Sequence, residues 1–578
     1  MAKRRKWPVL LMSTALFAGL LAGCGGKDNN GSASPSGSAA ASGSASPSAS
    51  ASAPAEDLKP LTLTYYSEDP NPNWANMQDE TGKYITEKTG ITLDAEFAVG
   101  DAVQKSALIA TSGKYPDLIS AKTSISKFVD AGAVIDLTDL IDKYGPNLKK
   151  VYGDELKRLR YSEDDPSIYV LPSYAGVGQT YFEAGGGFEL QHRVVKELGY
   201  PRIRTVQDFE NAIKQYLAKH PTDENGNKNI GLTLNADDWH MYISVTNPAF
   251  LTTGGADDGE FNIDVDTYKV TYHFLRPEEK EYFRWLNHMN AEGLLDKESF
   301  VQKYDQYKAK VASGRVLGLI DQLWDYADGE KALKAAGKFD QAYGHYPVTL
   351  NENFKDTSFW PTGFMAGSGV AISKTNPDPV RTIKFLDWLA SDEGQVLINW
   401  GIEGKHYTVE NGKRVMIKEV NDRRINDGTN FQKESGIGNY TLLSAHYGDG
   451  VKDPTGNYYT LKFPEQLTND YSDVEKEVLK NYGATIWKDL FPKEEEFKVK
   501  PWGAAWNIPI PSDSDSTVIE EKLKNITWKM IPKAILAKPE EFDDIWDDYV
   551  SQLEKADVHK AEELRAELVK ARVKLWNE

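Results

Sequence analysis

From Gly25 to about Asp57 the chain is almost entirely glycine, serine, alanine and proline, with a few polar residues between them. Such a stretch cannot bury enough apolar surface to offset the entropy of ordering its backbone. It is expected to be a disordered tether over 24–58, so a folded body begins only near residue 59. A flexible chain of this length spans roughly 30 Å root-mean-square, enough to hold a globule clear of membrane headgroups. Ahead of it the order is charged, apolar, small: Lys3, Arg4, Arg5 and Lys6, an apolar run from Trp7 to about Leu21, then Ala22-Gly23-Cys24. That order predicts a secretory signal over 1–23, and the apolar run is short for a membrane crossing, which needs about 20 residues.

Cys24 is the sole cysteine among 578 residues. An internal disulfide and a thiolate zinc site are therefore excluded. Placed directly after Leu-Ala-Gly, Cys24 resembles the bacterial lipobox, and the resemblance implies diacylglycerol on its sulfur with cleavage just before it. Two acyl chains anchor stably where one is marginal. The succession of anchor, tether and globule predicts an exported body held at the outer face of the cytoplasmic membrane.

About 520 residues remain after the tether, too many for one core and consistent with two large lobes. The net charge is −19, and loss of the four leading cations takes it to −23. Such a surface repels nucleic acid and anionic lipid, whose phosphates need clustered Lys and Arg. The 14 Trp, 29 Tyr and 21 Phe point elsewhere, because many lie in polar, Gly- or Pro-rich stretches rather than in periodic apolar runs. Sugars present C–H faces that pack on aromatic planes, and Trp and Tyr add a polar handle.

Alternating Leu61 to Tyr66 reads as a strand, followed by a loop through Trp74, a helix to Thr89 that Gly90 caps, and a second strand over Ile91 to Phe97. This β-α-β order predicts a parallel sheet. Thr205 to Asp208 has the form of a capping box, with Phe209, Ile213, Tyr216 and Leu217 at helical spacing behind it. Near the end, Phe542, Ile545, Trp546, Tyr549, Val550 and Leu553 form an apolar stripe. The class is α/β.

Several stretches resemble the extracellular solute-binding proteins of ABC importers, in particular the LplA-type lipoproteins of Gram-positive bacteria. One is Ala110-Thr111-Ser112-Gly113-Lys114-Tyr115-Pro116-Asp117, followed by Gly132 to Leu137 and Tyr144 to Leu148. Another runs from Asn376-Pro377-Asp378-Pro379 through Phe385 to Leu389 and Ser391 to Gln395, ending in Gly401-Ile402-Glu403-Gly404-Lys405-His406-Tyr407. Pro379 after Asp378 suits a helix start, and Gly394 allows a tight join. The resemblance implies a two-lobed periplasmic-binding-protein-like fold of type II, with a hinge and a cleft between lobes that close over an oligosaccharide. It further implies a monomer that hands its ligand to membrane permeases. Crossings are expected near Leu171-Pro172, near Trp360-Pro361 and after about Asn481. The lobes are then 59–171 with about 361–480, and 172–360 with about 481–578.

Loops that follow strands line such a cleft. On that ground Trp74, Trp239, Trp324 and Trp360 are the candidate sugar-stacking residues, with Asp321 and Gln322 as polar partners and Tyr174 as a further contact. Asp223, Asn225 and Asn227 have the Asp-x-Asn-x-Asn spacing of a calcium loop, although the acidic ligands expected further along are missing. The competing reading is a Gly-Asn turn. The sequence lacks a His-Glu-x-x-His motif, a Gly-x-Ser-x-Gly elbow and a Gly-rich phosphate loop. The functional alternatives are an anchored glycoside hydrolase, which needs two carboxylates about 5 to 10 Å apart, and a surface polysaccharide-binding adhesin.

Overall fold

A computed structural model describes residues 58–511 and 514–577. The expected signal, Cys24 and nearly all of the tether lie outside the described residues. The chain forms thirteen strands there: β1 (Leu61–Ser67), β2 (Ile91–Phe97), β3 (Leu118–Ser120), β4 (Leu171–Pro172), β5 (Gly186–Gln191), β6 (Ile230–Thr233), β7 (Phe261–Ile263), β8 (Val270–Tyr272), β9 (Val316–Gln322), β10 (Tyr343–Tyr346), β11 (Gly369–Ile372), β12 (Tyr407–Glu410) and β13 (Lys413–Met416). One sheet has the order β2-β1-β3-β11-β4 and a second the order β10-β5-β9-β6; two hairpins complete the set.

The first β-α-β unit forms as expected. Asp79 accepts from the Gly82 amide at 2.7 Å and starts the helix Glu80–Thr89. Gly90, at φ +69, ends it in the left-handed region, where a Cβ would also lie 2.7 Å from the Leu58 carbonyl carbon. β1 then pairs in parallel with β2, Leu61 beside Ile91. Thr205 and Asp208 close the capping box of the helix Val206–Lys219, which buries Phe209, Ile213 and Tyr216. Asp378 caps the helix Pro379–Leu389 through the Arg381 amide. Gly394 follows a tight bend: a Cβ there would sit 2.3 Å from the Trp388 carbonyl oxygen, far inside contact distance, so no side chain fits.

Each sheet has its own core. Leu63, Leu118, Leu171, Val370, Ile372 and Leu386 belong to the first. Phe188, Phe209, Leu232, Leu317, Ile320 and Trp285 belong to the second, which also takes in the C-terminal stripe of Phe542, Trp546, Tyr549 and Leu553. The helix Asp473–Asn481 buries Val478 and Leu479 in this second core as well. This helix precedes the position after Asn481 at which the third crossing is expected, and it packs on the second core. Local periodicity shows that a helix is amphipathic without showing which core it faces.

Strand direction positions the cleft. β1, β2, β3 and β4 run the same way, and β11 runs against them, so their carboxyl ends share the edge at which β11 begins. In the second sheet β6, β9 and β10 run together against β5. The crossing 173–185 leads from the end of β4 to the start of β5, and 347–368 leads from the end of β10 to the start of β11. Both crossings thus connect the two carboxyl edges, the place where open α/β sheets bind ligands.

Candidate functional site

The wall on the second sheet is built around a ladder of rings. After β6 the backbone turns through Asp238 at φ +55 and enters a π-helical turn, Met241–Thr246. A non-glycine residue held in the left-handed region and a π turn are both features that concentrate at functional sites. The Ser244 hydroxyl secures the turn by donating to the Ile320 carbonyl at 2.7 Å and accepting from the Asn235 amide at 2.9 Å. The turn sets His240 on Tyr304 with centroids 4.2 Å apart, Trp239 against His240 at 3.8 Å, and Trp324 against Trp239 at 5.8 Å and 22°. Tyr307 lies beyond Tyr304 at 6.5 Å. His240 and Tyr307 are buried and Tyr304 half-buried, whereas Trp239 is 43% and Trp324 57% exposed. Stacked rings that end in an exposed indole offer a flat apolar face with a hydrogen-bond donor at its rim.

Behind the rings lies a buried polar layer. Asp321 is 1% exposed. The Tyr307 hydroxyl donates to its Oδ2 at 2.5 Å, and the Gln322 amide donates to its Oδ1 at 2.8 Å. Burial first, and the neighbouring Asp325 second, push the Asp321 carboxyl well above the usual carboxylate range. The expectation that Asp321 meets the ligand directly is therefore corrected: it orients Tyr307 and the end of β9 from below. Asp325 is bonded to His240 Nδ1 at 3.1 Å, and its carbonyl accepts from Tyr304 at 2.8 Å. Gln322, half-buried, lies over Gly186, where a Cβ would come 2.7 Å from the Gln322 Cδ.

On the first sheet's edge, β1 ends in Ser67-Glu68-Asp69 and β3 leads into Lys122, which holds φ +43. Lys122 forms an ion pair with Asp69, and its ammonium lies 5.4 Å from the Tyr174 ring centre. Tyr174 is 40% exposed and meets Trp506 edge-on at 6.1 Å. Glu68 accepts from the Ser106 hydroxyl at 2.5 Å, and burial pushes its carboxyl up to about 7.

The structure thus brings Trp239, Trp324, Gln322 and Asp321 together on one wall and leaves Tyr174 on the other. It gives two of the indoles to packing. Trp74 is half-buried between Phe97 at 5.9 Å and Tyr440 at 5.4 Å. Trp360 stacks on Phe497 at 5.2 Å and donates its indole N–H to the Lys498 carbonyl at 2.9 Å. His240, Tyr304, Tyr307, Asp325 and the Glu68-Asp69-Lys122 group were not singled out from the sequence. For His240 the available signal was its place next to Trp239 in a polar loop; Tyr304 and Tyr307 gave none.

The 223–227 turn does not fit calcium. Asp223 Oδ1 accepts from the Asn225 and Asn227 amides at 2.9 and 2.8 Å, and Oδ2 accepts from the Asn227 side chain at 3.0 Å. One carboxylate already taken up by its own turn is far from the 6 to 8 oxygens, roughly, that calcium requires. Asp453 makes the same turn through Thr455 and Asn457. The repeated spacing is turn chemistry in this chain.

Two sheets joined by crossings at their carboxyl edges, with an aromatic wall at one edge, define a two-lobed binding protein. The chain belongs to the bacterial extracellular solute-binding protein family, whose sequence profile matches residues 81–400. It is 26% identical over 348 residues to the fructooligosaccharide ABC transporter substrate-binding protein FusA of Streptococcus pneumoniae, covering 55% of this chain and 59% of that one. It is 21% identical over 500 residues to the polygalacturonan/rhamnogalacturonan-binding protein YtcQ of Bacillus subtilis, covering 83% and 88%. Among solved structures, the HMO-binding ABC-transporter-associated solute-binding protein of Bifidobacterium longum infantis superposes with a TM-score of 0.63 at 15% identity, over 89% of this chain and 99% of that one. Among the described residues no helix is long and apolar enough to cross a membrane.

Proposed function

We propose that this chain captures oligosaccharides outside the cell, in the cleft between the two sheets, and delivers them intact to the permease subunits of an ATP-driven importer. The observation that carries this reading is the ring ladder, which ends in the exposed Trp239 and Trp324 at the carboxyl edge of the second sheet. The transport roles named for FusA and for the Bifidobacterium protein, and the glycan ligand named for YtcQ, support the same class of ligand. Trp324 and Trp239 stack on a sugar face, Gln322 and the indole N–H groups meet its hydroxyls, and Tyr174, on the crossing that leaves β4, meets it from the edge of the first sheet. Closure follows because a ligand that touches both walls binds the closed state better, which shifts the population toward it. The lobes are 59–171 with 361 to about 470, and 172–360 with the remainder. The protein acts as a monomer without a cofactor, leashed through lipid on Cys24 with the 24–58 tether as spacer.

Titration calorimetry with short oligosaccharides, followed by mass analysis of the recovered sugar, tests the proposal. Saturable binding with the glycan recovered whole is expected. Steady accumulation of shorter products would instead identify a hydrolase, and binding confined to intact polymer an adhesin.

A further inference from the structure

We infer that the cleft selects uncharged glycan chains over chains bearing uronate or sialyl carboxylates; the inference rests on the oligosaccharide reading and adds to it the charge of the ligand. A sugar carboxylate taken out of bulk water is held most strongly by an unpaired Arg or Lys, or by a bound cation, in place of its hydration shell. The segments at the two edges of the cleft are 68–79, 98–101, 121–124 and 173–185 on the first side, and 234–240, 322–326 and 347–368 on the second. They contain two cationic side chains, Lys122 and Lys355. Both are already paired, Lys122 with Asp69 and Lys355 with Glu496 at 2.9 Å. Lys303, which approaches the 234–240 loop from an adjacent helix, is paired with Asp237 at 2.8 Å. His240 is bonded to Asp325 beneath the rings.

Asp238 is exposed immediately beside Trp239, and Asp69 occupies the opposite edge. A carboxylate on the sugar would therefore meet the exposed Asp238 on the second side, while on the first side Lys122 is already neutralised by Asp69. A bridging metal ion is no substitute, since among the described residues no group of three His, Cys, Asp or Glu side chains could hold one. Apart from Asp238 and the Asp69–Lys122 pair, the walls present uncharged groups: indole faces, the Gln322 side-chain amide and the Tyr174 hydroxyl. They match hydroxyls and C–H faces and bring no formal positive charge to offset a carboxylate.

The experiment is a thermal-shift screen of the whole chain at low ionic strength against two sets of probes. The neutral set holds fructo-, malto-, manno-, xylo- and galacto-oligosaccharides; the acidic set holds oligogalacturonate, oligoalginate and sialylated lactose, each with calcium and with chelator. The tightest neutral binder is then compared with its own derivative oxidised from hydroxymethyl to carboxylate. Neutral binders are expected, with the oxidised form at least ~10-fold weaker and the gap narrowing as salt is added. Asp238→Asn, which tolerates positive φ, is expected to improve the oxidised form at least ~3-fold more than the neutral parent. The inference is overturned if the tightest binder is acidic, with or without calcium, or if oxidation leaves affinity unchanged. A screen without any binder overturns the oligosaccharide reading itself, which the mixed outcomes leave standing.

Discussion

Trp324→Ala is expected to weaken oligosaccharide binding at least ~30-fold while moving the melting temperature by no more than ~2 °C. The indole is 57% exposed and ends the ladder, so its removal takes away the open face without opening a cavity in either core. A central aromatic anchor contributes about 2 kcal/mol or more to binding, and 1.4 kcal/mol is about tenfold in affinity. Folding should barely register the change, because exposed positions away from caps and networks are worth about 0.5 kcal/mol or less. Trp324→Phe keeps a flat face and should retain most of the affinity. Calorimetry beside a thermal melt checks both statements. An affinity loss below threefold, or a loss matched by unfolding, would remove Trp324 from the site.

The second large effect concerns stability. Asp258→Ala is expected to destabilise the folded body by about 3 to 5 kcal/mol. Asp258 and Lys500 form an ion pair at 2.9 Å with side chains 0% and 1% exposed. The Trp502 indole N–H also donates to Asp258 Oδ1 at 3.0 Å. Removing the carboxylate takes the ion-pair partner from a buried ammonium, which keeps a hydrogen bond to the Asp257 carbonyl at 3.0 Å, and leaves the buried indole donor unpaired as well. The double change Asp258→Ala with Lys500→Met should recover much of the loss, because the penalty lies in the orphaned charge rather than in the absent attraction. Urea or thermal unfolding of the three proteins provides the comparison. A single-variant loss under about 1 kcal/mol would show that water reaches the pair.

How much of this could be seen in advance depends on the range of each interaction. Gly90, the Thr205–Asp208 box, Asp378–Pro379 and the Phe542–Leu553 stripe were legible because each feature is closed by residues within a turn or two of itself. Trp239 and Trp324 were legible in a weaker sense: each follows a strand, and carboxyl ends of strands gather at one edge. The rest of the ladder was not. Tyr304 reaches His240 only after β6, the π turn and the helix that begins at Tyr304 are assembled, and nothing in its neighbourhood marks that role. Asp321 stands out by its polarity, but burial decides what a carboxylate does, and the hydroxyl that covers it, Tyr307, comes from the helix Tyr304–Ala312. Asp223 shows the reverse difficulty. Oxygens at alternate positions serve a cation or the turn's own amides equally well, and only the direction of the N–H groups separates the two.

The most direct test of the account is small-angle X-ray scattering of the protein with and without a saturating short oligosaccharide that calorimetry has shown to bind. If the sugar is gripped between the two sheets' carboxyl edges, the radius of gyration falls on binding, and Trp324→Ala at the same sugar concentration shows no such fall. A saturated wild-type protein whose scattering curve does not change would contradict the proposed closure of two walls around a glycan.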